Sequence, residues 1–191
     1  MVAAPLVGVL ALQGGFAAHI RVLKELGVRT REVRVLADLE GLDGLVLPGG
    51  ESTALTIAIE REGLEGPLRA LAAAGTPMLG TCAGLILLDR EHLGLMDIAA
   101  RRNAFGRQIR SFEAELAFEH LDGGPVHAVF IRAPWIAEHG EGVEILAEVD
   151  GHAVAARQGA LLVLSFHPEL GDDHRLHEQF LADVRARAAS V

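Results

Sequence analysis

A single cysteine, Cys82, lies in Leu79-Gly80-Thr81-Cys82-Ala83-Gly84, between a short apolar run and a helical pattern. Glycine two residues to either side of a nucleophile is the spacing of the strand–turn–helix elbow G-x-S-x-G, here with sulfur in place of oxygen. The turn is tight, so only small residues relieve the crowding at those flanks. With 22 glycines in 191 residues, glycine at both flanks arises by chance with a probability of roughly 0.013, before the strand–helix context is counted. A helix starting at the cysteine directs partial positive charge at the sulfur and favours the thiolate, the nucleophilic form. The other reading of a lone cysteine is a small buried hydrophobe.

A thiol nucleophile needs a base within hydrogen-bond reach, and the base gains from a third group that holds its tautomer. Of nine histidines, His167 ends the apolar run Leu161 to Phe166 and is followed by Pro168 and Glu169. Strands of a parallel sheet end where ligands bind, and Pro168 biases His167 toward extended geometry. Residues two apart in extended chain face the same way, so Glu169 is placed to orient an imidazole aimed at Cys82. His174 and His177, beside Asp172 and Asp173, have an i,i+3 spacing compatible with a metal. No further ligand signature accompanies them, and no metal is expected. His19, His92, His120, His127, His139 and His152 read as ordinary surface or turn residues.

A third segment, Pro48-Gly49-Gly50-Glu51-Ser52, joins a short buried strand to a helix start. Glycines let backbone N–H groups approach a substrate, and a helix N-terminus favours negative charge. Those are the requirements for an oxyanion site in acyl transfer, although a glycine turn alone is more often loop geometry.

The elements around these segments alternate like βαβ units. Strands are predicted over 6–12, 31–36, 44–47 and 77–79, and helices over 16–26, 52–59, 64–74 and 85–90, with Ser52 as an N-cap. Five further strands, 111–118, 126–131, 143–149, 153–157 and 161–166, have no long helices between them, which suggests mixed or antiparallel pairing added to a parallel core. A last helix is expected over 173–188. No repeat or linker interrupts residues 1–191, so one α/β domain is the reading.

Half of the residues are apolar and the formal charge is −9, with no basic cluster to follow a phosphate backbone. Nucleic-acid binding is therefore not expected. No charge-free apolar run reaches the ~20 residues of a membrane helix. The stretch Pro5 to Leu12 has no basic leader and is read as a strand, not an export signal, so a cytoplasmic protein is expected. One cysteine excludes an intrachain disulfide and any multi-cysteine metal site. Lys24 is the only lysine and Asn103 the only asparagine. Sparse asparagine suits a heat-adapted (thermophile) protein, while arginine, alanine and glycine enrichment also fits a GC-rich genome; a melt below about 65 °C would count against heat adaptation.

Taken together, the Gly-Thr-Cys-Ala-Gly elbow, the upstream Pro-Gly-Gly-Glu-Ser and the terminal His-Pro-Glu resemble the class I (triad) glutamine amidotransferases. Leu12-Gln13-Gly14, Arg102 to Gln108, Ser111-Phe112-Glu113, Phe130 to Pro134 and Ser165 to Glu169 look, within that class, like the glutaminase subunit of pyridoxal 5′-phosphate synthase. The likeness covers nearly the whole chain in order. It implies a three-layer, flavodoxin-like α/β sandwich whose mainly parallel central sheet is flanked by helices. It implies that Cys82, His167 and Glu169 hydrolyse L-glutamine through a thioester, and that Gly50, Glu51, Ser52, Arg102, Ile131 and Arg132 bind it. Backbone amides of Gly50 and Ala83 would hold the oxyanion, with Gln13 near that region and near a docking face. The resemblance further implies a synthase-subunit partner that receives the ammonia, low activity without that partner, and no cofactor, because pyridoxal phosphate is the partner's product. Arg102 and Arg132 have no carboxylate neighbour in sequence, which suits a substrate carboxylate; the alternative is a surface ion pair. Triad residues alone do not separate this reading from a glutaminase of another synthase, a γ-glutamyl hydrolase, or a silent scaffold on the same fold.

Overall fold

The computed structural model describes residues 4–103, 105 and 111–190. In chain order its strands and helices are β1 (Leu6–Leu10), α1 (Phe16–Glu25), β2 (Arg29–Val33), β3 (Gly44–Leu47), α2 (Ser52–Arg61), α3 (Glu65–Ala73), β4 (Met78–Thr81) and α4 (Ala83–Leu88). There follow β5 (Ile98–Arg101), β6 (Ser111–Leu116), β7 (Val126–Ile131), β8 (Trp135–His139), β9 (Glu144–Val149), β10 (His152–Gln158), β11 (Leu161–Leu164) and α5 (Arg175–Ala188).

Five parallel strands run in the order β2-β1-β3-β4-β11, the doubly wound 2-1-3-4-5 pattern. β10 then pairs antiparallel with β11 and carries β8 and β9, and β5 closes the edge against β8. β6 and β7 form a separate antiparallel pair.

Short aliphatic strands suit this position because both faces of the central sheet are covered. Gly44–Leu47 and Leu161–Leu164 are buried at every residue. Their side chains alternate between two cores. Leu10, Leu45, Leu47 and Val163 pack with Leu55 and Ile59 of α2, Leu68 of α3 and Leu85 of α4. Val7, Val9, Val46, Leu162 and Leu164 pack on the other face with Leu23 of α1 and Phe180 and Leu181 of α5. The expected three-layer α/β sandwich is present, and it aligns the carboxyl ends of β3, β4 and β11 at one edge.

Several local expectations needed correction. The strand expected over 31–36 runs from Arg29 to Val33 and gives way to a 3₁₀ turn at Leu36–Leu39. The Asp38 carboxylate accepts the N–H groups of Arg34 and Val35 at 2.9 and 3.0 Å and ends the extended chain there. Ser52 is the first helical residue of α2, not its cap. Glu51 caps instead, accepting from the N–H groups of Thr53 and Ala54 at 3.0 and 2.7 Å. β5 and β8 were not anticipated. β5 is an edge strand with two alanines and only Ile98 buried, and β8 leaves its last three residues exposed. Neither carries the buried alternation that marks a strand.

Candidate active site

β4 ends at Thr81 and the chain turns sharply through Cys82, whose φ of 51° and ψ of −106° lie outside the regions open to an L-residue at low cost. Such strain costs about 1–3 kcal/mol and persists only where the surroundings enforce it. Here the Cys82 N–H donates to the Leu164 carbonyl of β11 at 2.8 Å, and Leu85 N–H closes the first turn of α4 on the Cys82 carbonyl at 3.1 Å. The flanking glycines are sterically required. A Cβ on Gly80 would lie 2.7 Å from the Gly84 carbonyl oxygen, and one on Gly84 would overlap the Leu47 carbonyl of β3. Cys82 is buried, with Sγ 3.8 Å from the Ile131 carbonyl.

His167 leaves the end of β11 with its N–H bonded to the Val129 carbonyl at 2.9 Å, and a 3₁₀ turn over Pro168–Leu170 follows. The imidazole Nδ1 is 2.7 Å from Glu169 Oε1, which leaves Nε2 free to serve the neighbouring Cys82. Burial alone would push the His167 pKa down. The hydrogen bonds and charges of Cys82 and Glu169 outweigh it and raise the value to about 10. Glu169 is only 1% exposed. Burial works against its carboxylate too, but the His167 hydrogen bond and the adjoining His19 and His167 rings hold it below the usual glutamate range.

Two further loops close over this dyad. The chain at Gly49 runs directly across it, since a Cβ there would lie 2.5 Å from His167 Cε1 and 3.3 Å from Cys82 Cβ. Gly15 N–H donates to the Gly49 carbonyl at 2.9 Å. Gly14, at φ 94°, lies so close to that carbonyl that no side chain fits. Gln13 Oε1 accepts the Glu51 N–H at 2.9 Å and packs on Gly50.

A cavity of about 390 Å³ opens on Cys82 and is lined by Gly50, Glu51, Ser52, Ala83, Arg102 and Arg132, with Ile86, Asn103 and Pro134. Seven of the residues singled out in the sequence therefore meet at one cavity. Ile131 enters through its carbonyl near the sulfur, and its side chain is 40% exposed. Gln13, His167 and Glu169 stand behind the wall. Arg102 rests on the hydroxyls of Ser52 and Thr53 at 3.1 and 3.0 Å. Among the described residues neither Arg102 nor Arg132 is in an ion pair, which disfavours the surface-pair alternative. The Glu51 carboxylate, by contrast, is occupied in capping α2, and the two backbone N–H groups hold it below the usual range. Residues 104 and 106–108 of the segment that follows Arg102 lie outside the described residues.

Three contributors were not foreseen. Asn103 lines the cavity in a left-handed conformation (φ 48°), which asparagine tolerates better than most residues. His19 and His177 are fully buried, contrary to the surface assignment of His19. His19 Nε2 lies 3.3 Å from Glu169 Oε2 and 3.1 Å from Thr81 Oγ1, and its Nδ1 lies 3.1 Å from His177 Nε2. Helical spacing carried the signal, because position 19 falls on the same stripe as Phe16, Ile20 and Leu23. His174 and His177 do not converge on a common point: the first faces Glu25 at 3.6 Å and the second faces His19.

A strained thiol, an imidazole beside it, a buried carboxylate behind the imidazole and a glycine loop across the front can together carry acyl transfer at a carbonyl. Residues 9–186 match the SNO glutamine amidotransferase family. A pyridoxal 5′-phosphate synthase subunit PdxT from Geobacillus kaustophilus is 55% identical over 96% of this chain and 97% of its own, and one from Parafrankia is 50% identical over 96% and 95%. A crystal structure of a glutamine amidotransferase superposes with a TM-score of 0.88 at 46% identity, covering 94% of this chain and 98% of that one. The chain belongs to the SNO glutamine amidotransferase family.

Proposed function

We propose that the chain is the glutaminase subunit of a pyridoxal 5′-phosphate synthase, hydrolysing L-glutamine to L-glutamate and ammonia for a synthase subunit. The observation that carries this reading is the Cys82–His167–Glu169 array facing a cavity with two arginines, in a chain whose relatives bear that subunit's name.

In this reading the Cys82 thiolate attacks the side-chain amide carbon of glutamine. The carbonyl oxygen becomes an oxyanion held by the backbone N–H groups of Gly50 and Ala83. His167, protonated beside the sulfur, gives its proton to the amide nitrogen, and ammonia leaves as the C–N bond breaks. The neutral imidazole then takes a proton from water, whose oxygen attacks the γ-glutamyl thioester; glutamate departs and the thiol is restored. Arg102 and Arg132 pair with the α-carboxylate, and Ser52 and Glu51 shape the same end of the cavity. Hydrolysis of an amide needs no redox group, so no cofactor enters this subunit's step.

Residues 1–191 act as one domain in this proposal, within the cytoplasm, on a small-molecule substrate and beside a synthase partner. Gln13 supports the coupling to that partner. Its side chain ties the loop before α1 to the oxyanion loop, so a protein pressing on one loop acts on the other. Among the described residues no helix is long and apolar enough to cross a membrane.

The test is release of ammonia and glutamate from L-glutamine, with and without the cognate synthase subunit, for wild type and Cys82→Ala. Release that requires Cys82 and rises with the partner supports the reading. Absence of release in every combination overturns it and leaves a silent scaffold.

A further inference from the structure

Behind the array the chain buries a second polar layer that the proposed chemistry does not use. His19 projects from α1 into a space bounded by Glu169, Thr81 and His177, and it is wholly screened from solvent. An apolar side chain would continue the buried stripe of α1 at this position. A buried imidazole instead costs free energy unless its nitrogens are partnered.

We propose that His19 is a positioning residue, holding the Glu169 carboxylate from the side opposite His167 so that the acid, and through it the imidazole, keeps the orientation that faces Cys82. The inference rests on the glutaminase reading and deepens it. Glu169 Oε1 is taken by His167 at 2.7 Å. Oε2 is buried, has no hydrogen-bond partner among the described residues, and lies 3.3 Å from His19 Nε2.

A carboxylate only accepts, so in this proposal Nε2 carries the His19 proton and Nδ1 accepts. The neighbouring His177 Nε2, 3.1 Å away, must then be the donor. The proposed contact thus couples the tautomers of two buried histidines, whose pKa values burial pushes down. The same His19 Nε2 reaches Thr81 Oγ1 at 3.1 Å, the residue immediately before Cys82. One ring nitrogen therefore adjoins both the strand end bearing the nucleophile and the turn bearing the acid. The titratable groups around His19 are Glu169 and His167 from the β11 end, and His177, with His174 beyond it, from α5.

The experiment compares wild type with His19→Leu, His19→Gln and His19→Asn, each assayed in complex with the synthase subunit. Glutamine returns an N–H near the Nε2 position, whereas asparagine is too short to reach Glu169. The inference expects His19→Leu to lower kcat about tenfold or more with KM within about twofold, and His19→Gln to recover most of it. A second readout is the pH dependence of Cys82 alkylation by iodoacetamide, followed on the Cys82 peptide. Its profile should move in His19→Leu and return in His19→Gln. This readout does not need turnover, so it still tests the positioning role if wild type proves to release no ammonia. Should His19→Leu fail to fold, the Asn and Gln pair makes the same comparison. An unchanged kcat, or equal losses in all variants with an unmoved alkylation profile, overturns the proposal.

Discussion

Glu169→Gln isolates the charge of the orienting acid while keeping its shape. In the native chain the carboxylate is flanked on both sides, hydrogen-bonded to His167 at Oε1 and 3.3 Å from His19 Nε2 at Oε2. A glutamine amide has one accepting end and one donating end, so it satisfies one imidazole and sets a donor against the other. Either choice leaves a buried donor without a partner. Against burial, Cys82 and Glu169 together raise the pKa of His167 from 6.5 to about 10, so removing the Glu169 charge weakens the imidazolium. The unsatisfied donor adds about 1 kcal/mol or more. Breaking a buried charge pair by removing one partner costs about 3 kcal/mol or more, which predicts a fall in kcat of roughly 10²-fold or more.

KM should change by less than about threefold, because Glu169 does not line the cavity. The assay is steady-state glutamate formation in the presence of the synthase subunit, at several glutamine concentrations. A variant that keeps more than about a tenth of wild-type kcat would refute the assignment of Glu169 as the orienting acid.

The remaining predictions concern the same site. The folded pKa of His167 lies above its unfolded value, so its stabilising contribution is complete below about pH 6.5 and is lost as pH rises through about 10. Glu169 has the opposite sign, contributing above its ordinary 4.5 and losing that as pH falls through its depressed value. The melting temperature should therefore decline between pH 7 and 10.5, and Glu169→Gln should flatten that decline; parallel curves would exclude it. Gly84→Ala forces a methyl into the Leu47 carbonyl, and backbone on both sides leaves little room to relax, so about 3 kcal/mol and a drop of about 6–12 °C are expected by thermal melt. Arg102→Ala should raise the KM for glutamine about tenfold or more, with kcat within about threefold. An unchanged KM would remove Arg102 from substrate binding.

What could be read from the chain and what could not divides along a physical line. Cys82, His167 and the Gly49–Gly50 loop follow directly on β4, β11 and β3, whose buried aliphatic runs are written contiguously in the sequence. Parallel topology then gathers those three strand ends without further information. The cavity residues from α2 and from the Arg102 and Arg132 turns needed the motif resemblance, since nothing local shows that Arg102 rests on Ser52 and Thr53. Edge elements such as β5 stayed hidden because pairing with β8, not the intrinsic preference of Ile-Ala-Ala-Arg, makes them strands.

The support behind the array is a different case, because helical periodicity makes it legible in the sequence. His19 lies three residues after Phe16 and four before Leu23, and His177 lies three before Phe180 and four before Leu181, so each occupies the buried stripe of its own helix. A polar residue on such a stripe must find a partner inside the protein or destabilise it. Two of them on helices that pack against the same face of the sheet point to one another. Glu169, delivered from the end of β11, is the buried carboxylate beside His19. Helical periodicity therefore bears on the catalytic geometry as directly as the motif around the cysteine does, because it marks which histidines must be buried and so which can hold the acid in place.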